Sequence, residues 1–177
     1  GLYSATADSI PILALTGQAP VARLHKEDFQ AVDIAAIAAP LAKMAVTVLE
    51  AAQVPGVFAK AFHLMRSGRP GPVLVDISKD ALQAKTTFTW PPELRLPGYR
   101  PTTRPHGKQI REAAKLICAA QRPVLYVGGG VLKAQAGAEL RELAELTGID
   151  LDEMLFVGDR LDPDGNDFPV TTIGVPT

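Results

Sequence analysis

Ser67-Gly68-Arg69-Pro70-Gly71-Pro72-Val73-Leu74-Val75-Asp76-Ile77 is the stretch that decides how this 177-residue chain folds. Gly68 closes the helical pattern before it, as a glycine just past a helix end does. After Pro72 the β-branched and leucine run has the unbroken apolar character of a strand covered on both faces. Working outward, residues 51–67 place Val54, Val57, Phe58, Phe62 and Met65 at helical spacing. Residues 44–48 are strand-like, 33–42 are alanine-rich and helical, and 9–16 form a second buried strand closed by Gly17 and Pro20. A ligand-facing loop is expected after that strand. Strands alternating with helices of these lengths predict an α/β fold of three layers, with mostly parallel sheets.

The character changes beyond residue 83. Pro91, Pro92, Pro97, Pro101 and Pro105 forbid a helix or a central strand over 84–107. Trp90, Leu94, Leu96 and Tyr99 are interleaved with them, so the segment reads as an interdomain linker laid over a surface, too apolar for a solvated tether. A second unit follows: helix 109–120, strand 123–127, the turn Gly128-Gly129-Gly130, and helix 135–146 stopped by Gly148. That order is used by nucleotide-binding sheets, and an independent sheet is expected on each side of the linker. From residue 150 come a short strand, 154–157, and an acidic loop.

Composition narrows the function classes. The chain is 47% hydrophobic and 21% charged, with 18 basic and 19 acidic residues scattered along it. A formal net charge of -1 gives no long-range field for nucleic acid or an anionic membrane. No apolar run approaches the roughly 18 residues that span a bilayer. The single cysteine, Cys118, cannot form an internal disulfide; a reducing, cytoplasmic setting and a small buried apolar role are expected for it. The chain opens on Gly1-Leu2-Tyr3 and reads as beginning within a longer gene.

Several motifs admit two readings. Gly128, Gly129 and Gly130 directly after a strand could bring backbone amides against a phosphate or a flavin oxygen, or form a plain tight turn, since the full G-x-G-x-x-G spacing is absent. Arg69, between a helix end and a strand, could offer its donor fork to a planar or anionic ligand, or cap the carbonyls of the helix that precedes it. The charged turn His25-Lys26-Glu27-Asp28-Phe29-Gln30 is a surface loop or a substrate contact. Asp159, Asp162, Asp164 and Asp167 crowd four carboxylates into one loop, which suits either solvation or a hard cation such as Mg²⁺.

Residues 1–20, the segment Leu24-His25-Lys26-Glu27-Asp28-Phe29-Gln30, and the run from Phe62 to Asp76 closely resemble glyoxylate carboligase, in the latter half of its pyrimidine-binding domain. From about Ala81, Phe88-Thr89-Trp90-Pro91-Pro92, Leu96-Pro97-Gly98-Tyr99 and Pro123-Val124-Leu125-Tyr126-Val127-Gly128-Gly129-Gly130 resemble the large subunit of acetolactate synthase. Both are thiamine-diphosphate-dependent carboligases. The tail, with Gly158-Asp159 and Gly165-Asn166-Asp167, is similar to the magnesium-binding motif of haloacid-dehalogenase-type phosphatases and phosphomannomutases, whose nucleophilic Asp-x-Asp is absent.

These resemblances imply residues 1–83 as the C-terminal half of a pyrimidine-binding domain, 84–107 as linker, 108–149 as the start of a Rossmann-like, FAD-contacting central domain, and 150–177 as a foreign-looking segment. They imply a fragment of a carboligase joining a decarboxylated 2-oxo acid to a second carbonyl compound, inactive alone and homo-oligomeric in the parent family. A non-catalytic composite or designed chimera is the alternative reading, and a phosphatase fragment a distant one. The implied cofactors are thiamine diphosphate, FAD and Mg²⁺. By motif position Phe29 and Gln30 would line the substrate and thiamine channel and Lys43 would face it. Arg69, Gly128, Gly129 and Gly130 would contact FAD, and Asp159 and Asp167 would hold Mg²⁺.

Overall fold

Three strands, β1 (Leu13–Gln18), β2 (Met44–Val48) and β3 (Val73–Ser78), form a parallel sheet in the order β1-β3-β2. They belong to the first of two units, residues 1–104 and 105–177, in a computed structural model that describes residues 1–121 and 123–148. The central strand is the one whose sequence announced it: all six residues of β3 are buried. Pro72, also buried, precedes it where no ladder N–H is required.

Helices cover both faces. α1 (Leu2–Ala7) leads the chain, α2 (Ile34–Ala38) connects β1 to β2, and α3 (Val54–Arg66) connects β2 to β3. The chain crosses the sheet from β1 to β2 and steps back to β3, so right-handed crossovers place α2 and α3 on opposite faces. Contacts agree, with α2 against β2 and β3, and α3 against all three strands. Under α3, Val73, Val75 and Ile77 join Val48, Ala61, Leu64, Met65 and Ala81 in one core. The register sets Thr16, Asp76 and Thr47 side by side across the three strands, so the α2 face carries a polar row.

The ends of α3 follow from its residues. A capping box between Glu50 and Gln53 opens the turn that feeds it, and Pro55 occupies the first helical turn, where its missing N–H costs nothing. Gly68, at φ 60°, takes the left-handed position past the helix end, where a side chain would be strained. A short helix, α4 (Lys79–Gln83), is capped by the Ser78 hydroxyl, which accepts from the Ala81 amide at 3.2 Å.

Several expectations shift. The strand expected over 9–16 begins at Leu13, because α1 ends just before it and the Ile10 amide donates back to the Ala5 carbonyl at 2.8 Å. Pro11 then brings no N–H to a ladder. In the linker, Leu96 and Tyr99 pack on the core of the first unit, whereas Trp90 stays half exposed and stacks on Phe88 at 6.4 Å.

The second unit contains α5 (Gly107–Ala119), α6 (Gly129–Lys133) and α7 (Gly137–Thr147), the last ended by Gly148 at φ 69°. The strand expected at 123–127 is not paired, and no second sheet occurs among the described residues. Val124 is 89% and Tyr126 100% exposed, and a strand is stable only against a neighbour that completes its ladder. Cys118, expected to be buried, is exposed on α5, a helix that buries none of its residues. Among the described residues no helix is long and apolar enough to cross a membrane.

Leu64 tests the core. Leu64→Ala should destabilise the first unit by about 3 kcal/mol, the usual cost of emptying a leucine site in a packed interior. Urea unfolding followed by circular dichroism measures it, with Leu116→Ala on exposed α5 expected to leave that transition in place.

Candidate functional site

Ligands of open parallel sheets sit beyond the carboxyl ends of the strands. Here that edge is formed by Gln18, Val48 and Ser78, and the segment over it is the connection from β1 to α2. The connection is pinned at both ends. At its start the Val21 amide donates to the Asp80 carboxylate at 2.6 Å, and at its end Asp33 caps α2 by accepting from the Ala36 amide at 2.8 Å. Between them, the Gln18 carboxamide donates to the Val32 carbonyl at 2.8 Å.

The middle of this loop is where the expected channel residues lie. Phe29 is 83% exposed, and its amide donates to the Asp28 side chain at 2.7 Å. His25 and Gln30 both have left-handed backbone, φ 59° and 63°, which costs an ordinary residue about 1 kcal/mol or more. Such strain persists where surrounding contacts over-determine the backbone. An Arg23–Asp28 ion pair at 3.3 Å adds little, since the arginine is exposed. Beneath the loop is a cavity of about 120 Å³. Gln18 and Thr47 form its polar floor, and Leu24, Val32 and Leu49 part of its apolar wall.

That floor conceals a group that sequence reading missed. Asp76 is 0% exposed, yet its carboxyl oxygens accept from Thr16 Oγ1 at 2.6 Å and Gln18 Nε2 at 2.8 Å, with Thr47 Oγ1 at 3.5 Å. A buried carboxyl group is tolerated when its lone pairs are filled, each such bond contributing about 1.5–3 kcal/mol. The signal lay in the sequence as one acidic residue inside an apolar strand, and its partners lie about 60 and 30 positions upstream, where only the register reveals them.

The other expected residues are placed elsewhere. Lys43 Nζ donates to the carbonyls of Leu64, Ser67 and Arg69 at 2.5, 2.6 and 2.8 Å, closing the end of α3. Its stem passes Gly71, where an added Cβ would lie 3.2 Å away, so this glycine makes room for the lysine. Lys43 is therefore not gathered with Phe29 and Gln30. Arg69 does cap a helix, though not the one preceding it: Nε donates to Ser9 Oγ at 2.7 Å and Nη2 to the Thr6 and Ala7 carbonyls at 3.3 and 3.0 Å, at the end of α1. In the second unit Gly128 precedes α6 and Gly129 and Gly130 begin it, and a Cβ on any of the three would meet nothing within 4 Å. Asp159 and Asp167 lie outside the described residues, among which no cluster of metal-ligating side chains occurs.

Comparison with known proteins gives this geometry its context. Residues 110–166 match the central domain of thiamine pyrophosphate enzymes. The acetolactate synthase large subunit of Mycobacterium tuberculosis is 55% identical over 148 residues, 84% of this chain and 24% of that protein. Glyoxylate carboligase of Escherichia coli is 53% identical over 176 residues, 99% of this chain and 29% of that protein. The chain is homologous to acetolactate synthase and glyoxylate carboligase. It spans about a quarter of the length of these relatives. The fold agrees: a Mycobacterium smegmatis protein described as a thiamin diphosphate-dependent enzyme superposes with a TM-score of 0.70, at 24% identity over 83% of this chain and 28% of that one. Benzoylformate decarboxylase of Polynucleobacter necessarius gives 0.68, at 22% identity over 81% of this chain and 27% of that one. The central-domain match runs through residue 150, and glyoxylate carboligase aligns over nearly the whole chain, so neither supports a foreign origin for the tail or a junction between two parents.

Tyr99 supplies a pH-dependent test of how the linker is anchored. Its hydroxyl lies 2.9 Å from Ser67 Oγ and donates to the Ser67 carbonyl at 2.9 Å, with Lys43 Nζ at 3.4 Å. The Ser67 hydroxyl bond, helped by Lys43 and opposed by desolvation, holds the phenol below its ordinary value of 10.0. A depressed folded value means that ionisation stabilises the folded state: the contribution is absent below the lowered value, grows as pH rises, and is complete above the unfolded value. Near-ultraviolet titration of tyrosinate should show one early-ionising tyrosine, lost in Tyr99→Phe and moved back toward the ordinary value in Lys43→Met.

Proposed function

We propose that this chain is part of a thiamine-diphosphate-dependent carboligase, which joins a decarboxylated 2-oxo acid to a second carbonyl compound. The observation that carries the reading is identity of more than half over 148 residues to acetolactate synthase and over 176 residues to glyoxylate carboligase. Residues 1–83 then correspond to the latter half of a pyrimidine-binding domain, and the segment from 108 onward to the central domain. A small 2-oxo acid as substrate and a homo-oligomeric parent enzyme belong to the same proposal.

Thiamine diphosphate, when bound, supplies the electron sink for decarboxylation. The chain's own contribution is the loop over the strand ends. The Phe29 ring offers a hydrophobic wall that keeps water from a reacting carbon, and the Gln30 carboxamide offers both a donor and an acceptor to a substrate carboxylate or carbonyl. Strained backbone at Gln30 fits a residue whose direction is set by function. FAD fits only in part. The open backbone at Gly128, Gly129 and Gly130 suits close approach by a flat or anionic ligand, whereas Arg69 gives Nη2 to two α1 carbonyls and Nε to the Ser9 hydroxyl.

A segment this short holds only part of a cofactor pocket, and positioning and electrostatic stabilisation are lost together when a site is incomplete. The 177-residue chain with thiamine diphosphate and Mg²⁺ should therefore release no carbon dioxide from glyoxylate or pyruvate above a protein-free control. The full-length protein that contains this segment should release it and form the ligated product. Gln30→Ala in that protein should lower kcat/KM about tenfold, the worth of one hydrogen bond to a charged group. A full-length protein without ligation activity would overturn the assignment, and full activity in Gln30→Ala would remove Gln30 from the substrate site.

A further inference from the structure

The loop that carries Phe29 and Gln30 has to hold two left-handed residues and an exposed aromatic ring in one arrangement, and its own side chains supply little toward that. In the Arg23–Asp28 pair the arginine is exposed and the aspartate half-buried, and Lys26 Nζ donates to the Ala22 carbonyl at the loop's own base. What reaches the loop from the buried side is Gln18, the last residue of β1 and 7% exposed.

Every polar atom of the Gln18 carboxamide has a partner. Nε2 donates one N–H to Asp76 Oδ2 and the other to the Val32 carbonyl, both at 2.8 Å, while Oε1 accepts from the Ala19 amide at 2.8 Å. The orientation is decided by chemistry: turned over, the amide would set its oxygen against two acceptors and its N–H groups against a donor. Asp76 is in turn fixed by Thr16 Oγ1 on its other oxygen, with Thr47 Oγ1 reaching the shared one, so its acceptors point where β1, β2 and β3 put them. The chain of contact runs from a fully buried strand, through a carboxyl group and a carboxamide, to the backbone two residues past Gln30.

We infer that Gln18 and Asp76 are positioning residues for this loop: Asp76 orients the Gln18 carboxamide, and the carboxamide fixes the Val32 carbonyl and with it the presentation of Phe29 and Gln30. The functional weight of this device rests on the carboligase reading above; the tether itself does not. Neither residue needs to touch substrate. A purely structural role would spread its loss over the sheet, whereas a tether concentrates its loss in the loop.

Hydrogen–deuterium exchange of the 177-residue chain separates the two. Gln18→Met keeps the volume of the side chain and removes both donors; Gln18→Glu keeps the shape and places an acceptor opposite Asp76 and Val32. Amides of residues 28–33 should exchange about tenfold faster in both variants, while amides of 73–78 stay protected. Asp76→Asn retains one carbonyl oxygen for Gln18 and should keep most of the loop's protection. Unchanged exchange over 28–33 in Gln18→Met, or equal acceleration in the loop and in 73–78, would overturn the inference. Because exchange reads the tether without turnover, failure of the carboligase reading would appear instead as a full-length protein without ligation activity.

Discussion

Placing Asp76 inside a strand buried on both faces imposes a condition that the surrounding structure has to meet. A polar group without solvent needs its hydrogen bonds from fixed neighbours. Thr16 on β1 and Thr47 on β2 provide them at positions the parallel register brings level with Asp76, and Gln18 reaches it from two residues further along β1. A slip of one residue in either neighbour would turn those side chains to the opposite face and leave the carboxyl group unsatisfied. Packing under α3 and polar satisfaction on the α2 face therefore specify the same alignment.

That alignment carries outward to the surface. Gln18 is at once the end of β1, a partner of Asp76 and the support of the loop above the strand ends, so the interior and the loop share one residue. Around the other end of the sheet, Lys43, Ser67 and Tyr99 close α3 and hold the linker against the core. The amphipathic residues there act as structural fasteners. Arg69 does the same for α1. Basic side chains near helix ends are drawn to the exposed carbonyls of the last turn, which compete with any ligand for the same donors.

Legibility from sequence followed the range of the interactions. The helix ending at Gly68, the strands at 44–48 and 73–78, and the apolar linker contacts of Leu96 and Tyr99 were readable because spacing, end signals and composition are local. Which carbonyls Lys43 and Arg69 would bind was not, because motif position reports similarity of sequence and says nothing of which carbonyl lies within 3 Å. The segment 123–127 has the composition of a strand and stands unpaired, since pairing belongs to two segments and no strand among the described residues lies against it.

What the sequence determined by itself is the alternation of parallel strands and helices, the central burial of β3 and the kinship to thiamine-dependent carboligases, all carried by patterns within short windows. Tertiary structure alone decided that Asp76, Thr16, Thr47 and Gln18 form one hydrogen-bonded group and that the loop with Gln30 is tied to it. These residues are separated by up to about 60 positions in the chain, and only folding brings their atoms within hydrogen-bonding distance, where such bonds exist at all.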